Sequence, residues 1–401
     1  MAEMGAQVVQ AESPKFSCQT RGTYSWAQNH RNCYAITINT ATKRGQEIFL
    51  KAVEWADVWI EAGRPGAYDK RGLTDEVCWG HNPKLAIVHV SGYGQFGPYR
   101  DKPSYDAIGQ AMGGYMYMNG ESPESPALKV NPYLSDYITA YNTCICALAG
   151  HLHVVKYGEG DSCDIAQYDT MYRMLDEYPA KWFNTGFPGP GEPVPDRAGN
   201  RGVACCMAFY TTKDGGSIYV TMTGVGPVQR GYPIIGMPRE DYPEDCTGFP
   251  ISTPMGQKAE ALITKWCSEH TIDEVERIFT ENAIPCQRAY GPADILADEQ
   301  YAARENIVEW EDAVYGRMKG IGVTNRFKKN PSRIFASAPL VGKHNQEIFS
   351  AWGFTDEEIK EMYAKGEVSS WSAAETAKRK FLKEYGFFWD PDRQCKRLGI
   401  E

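Results

Sequence analysis

The sequence predicts an α/β protein: a Rossmann-like large domain built on a parallel sheet, joined to a smaller α+β domain. Three observations predict it. Short apolar runs at Cys33–Ile38, Val58–Glu61 and Leu85–Val90 are interspersed with helical patterns, which is the rhythm of βαβ units. Prolines and glycines crowd residues 187–202, as in a linker. Beyond it, runs at Met207–Thr212 and Ser217–Met222 flank Lys213-Asp214-Gly215-Gly216, a hairpin signature. The 401 residues suit about two to three domains. The expected division is 1–190 for the large domain, 200–295 for the small one, 300–367 for a return to the large domain, and 368–401 for a charged tail whose aromatic residues pack on the body or a partner.

In chain order, Met1–Gly5 reads as the last turn of a helix with its terminal glycine, followed at once by a strand, Ala6–Ala11. A domain that starts so implies either truncation or another element covering that sheet edge. Gln46–Trp55 is a helix with Ile48, Phe49, Val53 and Trp55 as buried positions. After the strand Val58–Glu61 comes a glycine-punctuated loop with Arg64, Lys70 and Arg71 within eight positions. Both a solvated turn and an anion site fit it, the second because it follows a strand of the parallel sheet.

The strand Leu85–Val90 runs into Ser91–Pro98, where Gly92, Gly94 and Gly97 match GxGxxG by spacing. A dinucleotide fingerprint must open directly into a helix, and Pro98 and Pro103 argue for a loop instead. The glycines still permit close backbone approach to a ligand.

Tyr137–Tyr157 is a helix ended by Gly158, with Asp136 at its N-cap. Capping is the common task of such an Asp. A carboxylate there is also kept ionised by the helix start, beside N–H groups able to stabilise an oxyanion, which suits a nucleophile. Asp161–Gln167 is a strand leading to a helix over 168–183, and Asp164 and Asp169 have ordinary turn or first-turn roles. Later helices are expected at Gly256–Cys267, Ile272–Glu281, Asn345–Trp352 and Thr355–Lys365, and Ile307–Trp310 leads back to the large domain.

Composition narrows the function. A net charge of −9, with Lys378-Arg379-Lys380 as the longest basic run, argues against a nucleic-acid partner. Twelve cysteines without a CxxC read as reduced, mostly buried thiols rather than a metal or disulfide framework. His151 and His153 face different sides of their helix, unlike the i, i+4 pairs that ligate metals. No apolar run approaches a membrane span of ~18 residues and no signal peptide is present, so a cytoplasmic protein without a membrane partner is expected.

Several stretches taken together resemble the class III coenzyme A transferases, which include formyl-CoA, carnitine and bile-acid CoA-transferases. They are Gly5–Glu12, Asn29–Ile38, Trp59–Gly72, Val90–Gly114, Asn131–Tyr137, Gly158–Tyr168, Arg197–Asn200, Thr212–Gly216 and Ala338–Gly342, within residues 1–367. Gln28–Asn32, Asn131–Asp136 and Arg230–Gly236 lean to the bile-acid type, with the carnitine branch also similar. The resemblance implies transfer of coenzyme A from an acyl-CoA to a small carboxylic acid, such as a bile acid or carnitine-like acid, through an aspartyl-CoA thioester and without a metal. It implies that Asp136 is the nucleophile and that Tyr105 belongs to the active-site tyrosine region. Arg64, Lys70 and Arg71 would be the CoA-contacting loop, and Ser91, Gly92 and Tyr93 the glycine turn. It also implies a homodimer in which each chain threads through the other. The family pattern carries a first strand, a ligand-contacting loop and most of a first helix that are not found here. That keeps open an alternative, a catalytically silent CoA-binding paralogue or partner subunit.

Overall fold

A computed structural model of the chain describes residues 1–18, 20–186, 197, 199–202 and 204–377. It contains two compact units. The first comprises Met1–Asp101, Ala140–Ile165 and the described residues from Leu296 on; the second comprises Lys102–Thr139 and the described residues of Ala166–Ile295. The sequence reading kept everything up to residue 190 in one domain. Segments 102–139 and 166–186 instead join the second unit, where the helix Asp106–Met112 packs against the helix Gln167–Arg173. Glycine permits that approach: a Cβ on Gly113 would lie 2.5 Å from Met171 Cβ.

In the first unit, β1 (Val8–Glu12) pairs in parallel with β2 (Cys33–Thr37). A second sheet has the order β3 (Val58–Glu61), β4 (Ala86–Ser91), β5 (Ser162–Ala166), with β3 and β4 parallel. Ala86, Ile87 and Val88 are buried in succession, as expected of a strand covered on both faces. Before β1, the turn Ala2–Met4 ends at Gly5 in the left-handed region, as its sequence suggests. The helix Lys43–Trp55 starts at Thr42, whose hydroxyl accepts from Gly45 N, and it buries Ile48, Phe49 and Val53. Trp55, expected inside, is exposed. Helices Asn345–Ala351 and Asp356–Ala364 add Ile348, Phe349, Ile359 and Met362 to the same core.

The second unit holds an antiparallel sheet of β6 (Met207–Thr211), β7 (Ser217–Thr221) and β8 (Cys286–Arg288). Helices Pro254–Glu269 and Ile272–Glu281 cover it, with Ile263 and Phe279 fully buried against Ile218, Val220 and Met222. Glu260, also buried, accepts from Arg201, the Tyr210 hydroxyl and Cys206 N, so its charge is hydrogen-bonded. The chain re-enters the first unit, whose antiparallel hairpin joins β9 (Ile307–Asp312) to β10 (Gly316–Ile321).

The helix expected over 168–183 is two helices, Gln167–Arg173 and Tyr178–Thr185. Asp176 turns the chain at φ 55°, and Pro179 stands in the first turn of the second helix, where its missing N–H costs nothing. Leu134–Tyr157 is, by length and composition, long and apolar enough to cross a membrane, contrary to the sequence expectation. Asn142, Thr143, Gly150, His151 and His153 interrupt its apolar residues, so no unbroken run marks it. Most of the proline-rich stretch lies outside the described residues, as do the tail aromatics Phe381, Tyr385, Phe387, Phe388 and Trp389. Trp371 is described, and its N–H donates to Val341 O.

Phe349 has no exposed surface and packs its ring near Trp352 and Phe354. Phe349→Ala should remove about 3–5 kcal/mol of stability, read as a lower urea midpoint at unchanged slope.

Candidate active site

Asp136 is the third residue of the helix Leu134–Tyr157, one turn inside the N-cap position expected for it. The start of that helix is capped by Asp106, the first residue of another helix, whose Oδ1 accepts from Ser135 N at 2.9 Å and from Asp136 N at 3.5 Å. Asp106 is buried, and its Oδ2 accepts from Gln110 Nε2 at 2.9 Å and lies 3.2 Å from Lys129 Nζ. Because Asp106 supplies the cap, the Asp136 carboxylate is left for other work. Its Oδ1 accepts a 2.6 Å hydrogen bond from Gln167 Nε2.

Solvent reaches Asp136, yet its carboxyl stands above the ordinary carboxylate range. Desolvation by the protein around it is the larger cause and the nearby Asp106 charge the second, with Gln167 and Lys129 pulling the other way. The helix start alone led to the opposite expectation. Gln167 is buried, and its Oε1 accepts from Ser104 Oγ at 3.1 Å. Gly109 makes room for this arrangement, since a Cβ there would fall 2.4 Å from Ser135 Oγ and 2.7 Å from Gln167 Cγ. Tyr105 precedes Asp106 at the helix start with its side chain 75 % exposed, in the same unit as Asp136.

Arg64, Lys70, Arg71, Ser91, Gly92 and Tyr93 all belong to the first unit. The three cations are exposed, and Lys70 and Arg71 lie in the short 3-10 turn Asp69–Arg71. Arg71 also donates to Thr40 Oγ1 at 2.7 Å. Arg100, absent from the sequence reading, lies over this loop: a Cβ on Gly66 would be 2.8 Å from its Nη2. Ser91 Oγ accepts from Gly94 N at 2.8 Å, and Asp164 Oδ2 accepts from Gln95 N at 2.8 Å. Together they hold the glycine turn, which continues as loop to the helix at Asp106 rather than opening into a helix of its own.

Behind the basic loop, His89 stands between two carboxylates. Its Nδ1 is 2.9 Å from Glu61 Oε1 and its Nε2 3.0 Å from Asp75 Oδ1. Burial disfavours the imidazolium, but the hydrogen bonds and charges of Asp75 and Glu61 outweigh it and raise His89 to about 10. Burial likewise pushes the Asp75 carboxyl up, while His89 and Ser162 bring it below its usual range. Glu61 Oε2 accepts from Gly63 N at 2.7 Å, which ties this ion cluster to the start of the loop bearing Arg64.

Among the described residues, no group of three or more His, Cys, Asp or Glu side chains is placed to hold a metal ion. Sequence reasoning missed Asp106, Gln167, Lys129 and Arg100. The cap on Ser135 comes from 29 residues away and the Gln167 contact from 31, so no local pattern announces either.

A family model described as CoA-transferase family III matches residues 1–345. The bile acid CoA-transferase BaiK of Clostridium scindens (strain JCM 10418 / VPI 12708) is 46% identical over 384 residues, covering 94% of this chain and 86% of BaiK. Two solved structures share the fold. A CAIB/BAIF family protein from Brucella suis has a TM-score of 0.70 at 23% identity, covering 87% of this chain and 92% of its own. Rv3272 from M. tuberculosis, in its orthorhombic form, has a TM-score of 0.71 at 20% identity, covering 86% and 92%.

The His89 cluster sets a pH dependence. A folded-state value raised from 6.5 to about 10 means that its contribution is complete below pH 6.5 and is lost as pH rises towards 10. Stability to urea should fall across that window by on the order of 4 kcal/mol, and His89→Gln should flatten the slope. Equal slopes for the two proteins would show that the cluster does not hold His89 charged.

Proposed function

The chain belongs to CoA-transferase family III, and on that premise we propose that Asp136 is the nucleophile through which coenzyme A passes from an acyl-CoA donor to a bile acid. The enzyme class follows from the family: it is a CoA-transferase whose substrates are CoA thioesters and free acids. The observation that carries the residue assignment is the separation of tasks at the start of the Leu134–Tyr157 helix. Asp106 caps it, so a carboxylate one step further on is free to react.

Asp136 adds to the donor thioester carbonyl and expels CoA thiolate, giving a mixed anhydride. The thiolate adds to the aspartyl carbonyl and expels the donor carboxylate, leaving aspartyl-CoA. The acceptor carboxylate repeats the sequence in reverse. Each step moves one negative charge and no proton, and the thioester's free energy is kept as long as water is excluded. Arg64, Lys70 and Arg71 are assigned to the phosphates of CoA through charge-assisted hydrogen bonds, Ser91, Gly92 and Tyr93 to close backbone contact with it, and Tyr105 to the acyl group. The bile-acid acceptor rests on the named activity of BaiK. A cytoplasmic location fits the free thiols of Cys205, Cys206 and Cys267.

The chain is assigned to a homodimer. On the Leu134–Tyr157 helix, Tyr141, Ile145, Leu148, Leu152 and Val155 repeat at alternating spacings of four and three, and all are exposed, Val155 by 70 %. Such a seam fits a second copy of this chain better than water.

Asp136→Asn should abolish turnover, by about 10³-fold or more, and leave no CoA adduct by intact mass after incubation with an acyl-CoA, with or without hydroxylamine. Its stability should change by about 1 kcal/mol or less. Normal turnover by the Asn variant sinks the assignment, and a wild-type protein that binds CoA without adduct or turnover supports a silent paralogue. For the dimer, Leu148→Glu with Leu152→Glu should halve the mass seen by light scattering; an active wild-type monomer contradicts it.

A further inference from the structure

We infer that Gln167 is the oxyanion donor of the aspartyl intermediates, a role that rests on Asp136 being the nucleophile. Its amide N–H meets Oδ1 of Asp136 at 2.6 Å, and no hydrogen bond to Oδ2 is found among the described residues. The two carboxylate oxygens therefore differ: Oδ2 is the attacking atom and Oδ1 the one that stays.

When CoA thiolate adds to Asp136 Cγ of the mixed anhydride, the C–S bond forms and the carbonyl π pair moves onto Oδ1. The tetrahedral oxyanion collapses, the Cγ–Oδ2 bond breaks, and Oδ2 departs within the donor carboxylate. Attack of the acceptor carboxylate on the aspartyl-CoA thioester forms a new Cγ–O bond through the same oxyanion, with CoA thiolate as the leaving group. In both additions Oδ1 goes from a neutral carbonyl oxygen to an anion, so a donor already aimed at it stabilises the transition state more than the ground state.

The donor is preorganised. Gln167 is the first residue of its helix and is buried, and Ser104 Oγ donates to its Oε1 at 3.1 Å. The Asp136 carboxylate turns the amide so that nitrogen faces it, since the reverse orientation would set two acceptors together, and the Ser104 hydroxyl serves the oxygen end. Gly109 keeps the space the side chain needs.

Gln167→Leu removes the donor at similar volume, and Gln167→Glu keeps the shape while replacing the donor with a second carboxylate. In both, kcat should fall about 10²–10³-fold with KM for the acyl-CoA changed by about twofold or less. Pre-steady-state mass spectrometry should find the aspartyl-CoA thioester forming correspondingly more slowly. Gln167 holds the Asp136 carboxyl down, so the acid limb of the kcat profile should move to higher pH in both variants, further for Glu. If Leu is unfolded by circular dichroism, Glu decides. A folded variant with kcat within about threefold of wild type and an unmoved acid limb overturns the inference while leaving Asp136 in place. A wild-type protein that turns over without an adduct on Asp136 overturns the nucleophile, and this role with it.

Discussion

The second unit's chemistry depends on one buried carboxylate. Asp106 gathers the Ser135 and Asp136 amides, the Gln110 amide and the Lys129 ammonium around its two oxygens. A buried anion without such partners would be too costly to keep. With them, it joins the start of one helix to the start of another and releases Asp136 from capping. The arrangement has an electrostatic consequence as well: the charge that orders the helix start also opposes ionisation of Asp136. In the proposed role of Asp136, an anion less stabilised than usual is a stronger nucleophile, and Gln167 limits how far this goes.

The first unit handles charge differently. There a half-buried imidazolium, His89, stands between Asp75 and the buried Glu61, and Glu61 passes the constraint to Gly63 at the mouth of the basic loop. The loop's own cations remain at the surface. Under the proposed assignment of this loop to the CoA phosphates, support beneath exposed side chains limits the ordering needed at each binding event.

Strands, the long helix and the hairpin were legible because each is written in local periodicity and turn chemistry. Val58–Glu61 and Ile272–Glu281 have the expected bounds, and the hairpin strands differ by one residue each. The helix over 168–183 misled because apolar periodicity continues past Asp176, where the backbone takes a conformation that side-chain pattern does not encode. The helices Asp75–His81 and Val225–Ile234 escaped notice, the first short and the second carrying Pro233.

By itself the sequence determined the α/β class, the parallel strand pairs, the family and the residue types available for acyl transfer, since these follow from patterns between near neighbours and from resemblance along the chain. Only the tertiary structure decided what each carboxylate does. Asp136 moved from cap to a carboxylate held by Gln167, Asp106 from a neighbour of Tyr105 to the cap itself, and Gln167 from the end of a strand to the partner of Asp136 Oδ1. The reason is that hydrogen bonding and desolvation act over about 3 Å in space, whereas the groups concerned are 29 and 31 residues apart in sequence.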